Sequence, residues 1–152
     1  MNLSENFSLG ELTISETAKR KGIKNVPNAK QIEALKKLSE NVLQPIRNHF
    51  GIPIHISSGY RSTELNKSIG GAGTSQHCKG EAADIDMDFT SVKNREIFDF
   101  IRTKIEFDQL IFEGGTPKNP AWVHVSWNSN GKQRNQVLIA KLVAGKMSYQ
   151  NY

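Results

Sequence analysis

Cysteine is nearly missing from this chain: Cys78 is the only one in 152 residues. No internal disulfide can therefore staple the fold, and synthesis in a reducing compartment is expected. Long apolar runs are missing as well, none approaching the roughly 18 residues of a membrane span, so no membrane insertion is expected. The opening residues, MNLSENFSLGEL, have no basic start leading into an apolar stretch, so a protein made in the cytoplasm without a secretory signal is expected. Internal repeats, low-complexity tracts and Ser/Gly-rich linkers are absent, which makes one domain over residues 1–152 the economical reading. A chain of this length buries roughly two-thirds of its unfolded surface and can support a core unaided. Aromatic–basic motifs and a recognition-helix signature are also lacking. Nucleic acid is thus not an expected partner, although net charge is +5 and the pI about 9.4. The basic residues are scattered, the longest cluster being Lys19-Arg20-Lys21, as on a solvated surface.

What is present is an ordinary globular pattern, 37% hydrophobic and 23% charged. From Asn28 to Phe50, Ile32, Leu35, Leu38, Val42, Ile46 and Phe50 recur at helical steps. Asn28 with Gln31 supplies the start signal, Pro45 should kink or interrupt the helix, and Gly51 should end it. Ile52–Ser57 alternates like a half-buried strand carrying a proline. Residues 58–76 are loop-like, with a short helix around Thr63–Ile69. Ala82–Asp88 alternates again, with Asp84, Asp86 and Asp88 on one face. A helix over Ser91–Lys104 follows, then strands at Phe107–Glu113 and Trp122–Trp127 joined by GGTPKNPA, and a last strand around Val137–Leu142. Antiparallel neighbours are expected to dominate the second half, and the fold class is α+β.

The chemistry concentrates in Ser75-Gln-His-Cys-Lys-Gly-Glu-Ala-Ala-Asp84. A turn at Gly80 lets the His77 imidazole and the Asp84 carboxylate converge. Nitrogen and oxygen donors of this kind suit zinc, and a third would leave one position open for water. His124, in Trp122-Val-His-Val-Ser126, is the candidate: it shares a strand face with Trp122 and Ser126, while Val123, Val125 and Trp127 point into the core. Alone, a histidine between valines reads as a structural residue.

Gly59-Tyr-Arg-Ser62, Ser75-x-His77-x-x-Gly80-x-Ala-x-Asp84 and Trp122-Val-His124 together resemble the zinc D-alanyl-D-alanine carboxypeptidase family, especially its small phage and bacterial members that cut peptidoglycan stem peptides. The resemblance runs from about Phe7 to Trp127 and includes the spacing from Arg61 to His77. It implies a hedgehog-like α+β fold, mostly antiparallel and flanked by helices, without a separate cell-wall-binding domain. It also implies one Zn2+ on His77, Asp84 and His124, and bacterial peptidoglycan as the partner of a protein expected to be monomeric. Many members carry an acidic base two or three positions before the last histidine; here those positions are Trp122 and Ala121, which cannot accept a proton.

The base must therefore come from elsewhere. Glu113, ending the strand before GGTPKNPA, can be brought near His124 by an antiparallel return, and hedgehog-like domains carry a glutamate at the corresponding strand end. Asp108 is the competitor, sharing a face with Leu110 and Phe112 instead. In the implied hydrolysis the base takes a proton from the attacking water and passes it to the leaving amine. Arg61 offers a planar fork to a substrate carboxylate or carbonyl, and Tyr60 and Ser75 are further substrate-binding candidates. Cys78 is expected to be a small buried thiol, and His49 and His55 to be surface or capping residues. Asp86 is expected either to orient His77 or His124 or, with Asp88, to be a solvated strand-end charge. Without a signal, the expected route to the wall is a phage hole-forming protein, as for an endolysin. The other reading is a zinc-stabilised binding or assembly module without catalysis.

Overall fold

The computed structural model describes residues 1–152. Ser8 starts α1 (Leu9–Thr13): its hydroxyl accepts from the Glu11 N–H, and the Glu11 carboxylate accepts from the Ser8 N–H. Ser15 starts α2 (Glu16–Lys21), which stops at a left-handed Gly22. Both helices are too short to show a periodicity, and neither is among the elements expected from the sequence. Asn28 and Gln31 make the expected reciprocal cap on α3 (Ala29–Leu38). The helical path then continues through a π-helical turn at Ser39–Leu43 into α4 (Gln44–Phe50), ending at left-handed Gly51. Pro45 accounts for the wide turn. It has no N–H to give the preceding turn, and its ring needs space a regular α-turn lacks.

Strand β1 (Ile56–Ser58) is shorter than the Ile52–Ser57 expected, starting only beyond Pro53, which cannot donate to a ladder. After α5 (Thr63–Ser68) and a 3-10 turn at Gln76–Lys79 comes β2 (Ala82–Ile85). Helix α6 (Asn94–Lys104) precedes β3 (Gln109–Glu113) and β4 (Trp122–Ser126). The chain ends in β5 (Gln136–Val143) and β6 (Lys146–Asn151). These last two strands are joined by Ala144-Gly145, both at positive φ, a two-residue turn whose twist suits a hairpin. Strand β6 was not expected: its residues are mostly exposed and polar, so no alternation marks it.

The six strands form one mixed sheet in the order β1-β2-β4-β3-β5-β6. All neighbours are antiparallel except β3 and β5. The sheet is thus mostly antiparallel, as expected, with one parallel pair that no sequence pattern indicated. One face of the sheet presents Ala83, Ile85, Leu110, Phe112, Val123 and Val125, packed with Leu35, Leu38, Ile46, Ile97, Phe98 and Ile101 of the helices into one core. Strand alternation sends the intervening residues to the opposite face. No helix is long and apolar enough to cross a membrane.

Candidate metal centre

The register of the sheet lays out the site. Asp84 of β2 is paired with His124 of β4, which is paired with Ile111 of β3. One step along on the same face, Trp122 pairs with Glu113, Glu113 with Ala140, and Ala140 with Tyr149. Two adjacent rows therefore carry Asp84 and His124 in one and Glu113 in the other, on the floor of an open groove of about 1250 Å³.

His77 reaches the first row from outside the sheet. It lies on the 3-10 turn and is buried, with Nδ1 2.7 Å from the Gly59 carbonyl oxygen. Gly59 can bring that carbonyl in because it has no side chain; a Cβ there would collide with the Leu12 backbone. Gly80, at φ 75°, closes the turn and lets β2 return toward His77.

The donors converge on one carboxylate oxygen. Asp84 Oδ1 lies 3.3 Å from His77 Nε2 and 3.1 Å from His124 Nδ1, and the three donor atoms lie within 4.8 Å of one another. Each imidazole has an acceptor on its other nitrogen: the Gly59 carbonyl for His77, and Gln76 Oε1 at 3.4 Å for His124. Each imidazole therefore has one nitrogen held by the protein and the other turned to the Asp84 oxygen. Two imidazole nitrogens and one carboxylate oxygen converging in this way fit one metal ion in a three-residue, N/N/O site. Burial pushes the Asp84 carboxyl up, but the two histidines outweigh it and hold the group far below the usual carboxylate range.

Arg61 backs this centre. Its backbone N–H donates to the His77 carbonyl. Its side chain donates from Nε to Ser58 Oγ at 3.0 Å, from one terminal nitrogen to Asn66 Oδ1 and from the other to Asp84 Oδ2, each at 3.3 Å. Three of its five N–H groups are thus engaged, and the guanidinium still lines the groove.

Glu113 is buried, and no protein group donates to its carboxyl group. Desolvation raises its pKa to about 7, with Asp84 adding to the rise and His124 opposing it. A carboxyl poised near neutrality beside a cation site suits proton transfer. Asp108, the competitor, faces the groove but is committed. Arg134 donates to it from the backbone, Nε and a terminal nitrogen at 3.1, 3.0 and 2.7 Å, and Gln76 Nε2 donates at 3.0 Å. Burial raises Asp108, but these bonds outweigh it and hold the carboxyl below its ordinary value.

Ser75 lines the groove; Tyr60 does not. The Tyr60 ring is packed into the core, which leaves it no surface for the substrate contact expected of it. Of the two readings of Asp86, the structure matches the strand-end one. The strand ends at Ile85, and Asp86 Oδ1 accepts from the Asp88 N–H and from Asn94 Nδ2, not from either histidine. Cys78 is half-buried on the groove wall rather than fully buried, and desolvation raises its thiol. His49 stacks on Phe100 and His55 sits against the Asp86 carbonyl, both away from the donors. Sequence reasoning missed Gln76 and Tyr149. Gln76 stands beside His77 in the sequence and could have been suspected, whereas Tyr149 depends on a strand without a pattern.

The metal-ligand set, the candidate base and the groove thus lie on one face of a sheet whose other face is core. The peptidase M15 family model matches residues 5–126, from α1 through the whole of β4. No curated protein matches the chain. The match spans most of the sequence and contains all three donors, Arg61 and Glu113, and on it the chain belongs to the peptidase M15 family, metallopeptidases of the zinc D-alanyl-D-alanine carboxypeptidase type.

Proposed function

We propose that the protein is a zinc-dependent peptidase that hydrolyses stem peptides or cross-links of bacterial peptidoglycan. The observation that carries this reading is the position of Glu113: unbonded, raised to about 7, and one row from Asp84 and His124 on the groove floor. A purely structural zinc module has no use for a buried carboxyl left without a donor, which costs stability.

His77 Nε2, Asp84 Oδ1 and His124 Nδ1 would hold the ion. Zinc bound there would supply a Lewis acid for the scissile carbonyl and make water acidic enough to lose a proton near neutral pH. The ionised Glu113 carboxylate accepts that proton as the water oxygen bonds to the carbonyl carbon. The resulting acid then returns it to the leaving amine nitrogen as the C–N bond breaks. Arg61 has two N–H groups free for a substrate carboxylate or carbonyl oxygen, while its bond to Asp84 holds the carboxylate in place. Ser75, on the wall, is placed to contact the peptide. The +5 charge favours approach to an anionic wall. An endolysin-like enzyme, monomeric and released through a phage-made membrane hole, is the biological setting we propose.

The test is digestion of purified peptidoglycan followed by mass spectrometry of the released muropeptides, with and without a strong chelator. New termini at one type of bond, lost with chelator and restored by zinc, are expected. Undiminished cleavage in chelator would refute the metal mechanism, and zinc binding without any cleavage would favour the assembly-module reading.

A further inference from the structure

The metal centre is tied to a chain of polar side chains lining the groove, from an exposed Arg134 through a buried Asp108 and a half-buried Gln76 to His124. From Arg134 it passes to Asp108, then to Gln76, and ends on His124 Nε2. Each link has a direction. Arg134 only donates, and an ionised Asp108 only accepts. Gln76 must therefore turn its amino group to Asp108, at 3.0 Å, which leaves its carbonyl oxygen for His124. That oxygen can only accept, so the proton of the neutral imidazole resides on Nε2 and the lone pair on Nδ1. Nδ1 is the atom beside Asp84 Oδ1.

From these directions we infer that Gln76 is a positioning residue whose amide, oriented by Asp108 and Arg134, fixes the His124 tautomer and ring so that Nδ1 is presented to the metal. The inference rests on the metal-centre reading and adds to it. Asp108 is then neither base nor ligand, but the group that decides which way Gln76 points. Its carboxyl is held ionised by the bonds from Arg134 and Gln76, against the effect of burial. Arg134 lies beyond residue 126, where the family match ends. The segment after β4 is thereby coupled to the metal centre through a side chain rather than through the sheet alone.

Reversing the direction of the middle link provides the test. Asp108→Asn can offer Gln76 either an oxygen or an amino group, so the orientation is lost. Gln76→Met keeps the length and removes the acceptor. In the pair Gln76→Glu with Asp108→Asn, the amide introduced at position 108 can donate to the new carboxylate at position 76, which still accepts from His124. The pair also preserves the net charge. Zinc affinity, measured by competition with a chromophoric chelator, is expected to fall about 10- to 100-fold in Asp108→Asn and in Gln76→Met. The double variant should regain most of that loss. In the zinc-loaded protein the His124 Nε2–H should give a protected imino signal by nitrogen-edited NMR. That signal should broaden in Gln76→Met and return in the double variant, which general loosening of the fold would not produce. Gln76→Met leaves the Arg134–Asp108 pair intact, so the test stands even if Asp108→Asn folds poorly. If wild type binds zinc and Gln76→Met binds it equally tightly, or the double variant stays as weak as Asp108→Asn, the positioning role is wrong while the metal centre stands. If wild type binds no zinc, the metal-centre reading fails and this inference with it.

Discussion

Replacing Glu113 with glutamine should stabilise the metal-free protein at alkaline pH while removing most of the activity of the zinc-loaded one. In the fold the Glu113 carboxyl is raised from an ordinary 4.5 to about 7, chiefly because burial disfavours the anion, with Asp84 contributing and His124 opposing. Below pH 4.5 the carboxyl is protonated whether the chain is folded or not, and it costs nothing. Between 4.5 and 7 the unfolded chain ionises while the folded one resists, so stability falls as pH rises; above 7 the full cost remains. The gap between the two values corresponds to ~3 kcal/mol, which solvent at the groove mouth reduces to about 1–2 kcal/mol. For a chain of this size each kcal/mol moves the melting temperature by roughly 2–4 °C. Thermal melts of metal-free wild type and Glu113→Gln at pH 4 and pH 8 read this directly. The variant's advantage at pH 8 should exceed that at pH 4 by several degrees, and bound zinc should narrow the difference by favouring the carboxylate. Activity should fall by about 10²–10⁴-fold with one zinc still bound. A difference in melting temperature that does not change between pH 4 and pH 8 would refute the desolvation argument. Retained hydrolysis would remove Glu113 as the base.

Three further outcomes follow from the geometry. Gly59→Ala places a methyl group against the Leu12 backbone and pushes the Gly59 carbonyl away from His77 Nδ1. It should destabilise the fold by about 1–3 kcal/mol and weaken zinc binding, as read by denaturant melts and chelator competition. Zinc at about a thousandfold excess over its Kd should stabilise the protein by ~4 kcal/mol, a shift in calorimetry that His124→Ala should largely lose. Tyr149 shares a row with Ala140 and Glu113, and its hydroxyl is raised by burial and then by the charges of Glu113 and Asp84. Tyr149→Ala opens that end of the groove to water, so the acidic limb of the pH–rate profile should move to lower pH; an unmoved limb would show that Tyr149 does not shield Glu113.

The candidate metal donors were legible because each stands in a local pattern with a chemical reason. His77 and Asp84 flank a glycine turn, and the alternation Trp122-Val-His124-Val-Ser126 assigns a face before any partner strand is known. The same alternation separated Glu113 from Asp108, placing the first with Ile111 and the second with Leu110. It could not show what each carboxyl would meet. Asp108 is committed to an ion pair by Arg134, 26 residues away and held against it by a loop. Tyr60 carries the opposite lesson: adjacency to Arg61 suggested a shared surface, but neighbours in an extended segment point apart, and the ring went into the core.

What stayed hidden has a common cause, which is pairing between distant segments. Strand β5 runs parallel to β3 rather than antiparallel, and β6 is stabilised by its hairpin partner, not by an apolar face of its own. The consequence reaches the chemistry. The hairpin sets Tyr149 in the Glu113 row, beyond Ala140, and the loop before it supplies Arg134 to Asp108 and so to Gln76. The candidate donors and the proposed base lie within residues 5–126, the span matched by the family. The groups argued to set the donor tautomer and to shield the base come partly from the residues after it. Substitutions in that last segment should therefore alter zinc affinity and the pH profile without touching a ligand, a division that neither a motif nor the family match alone would suggest.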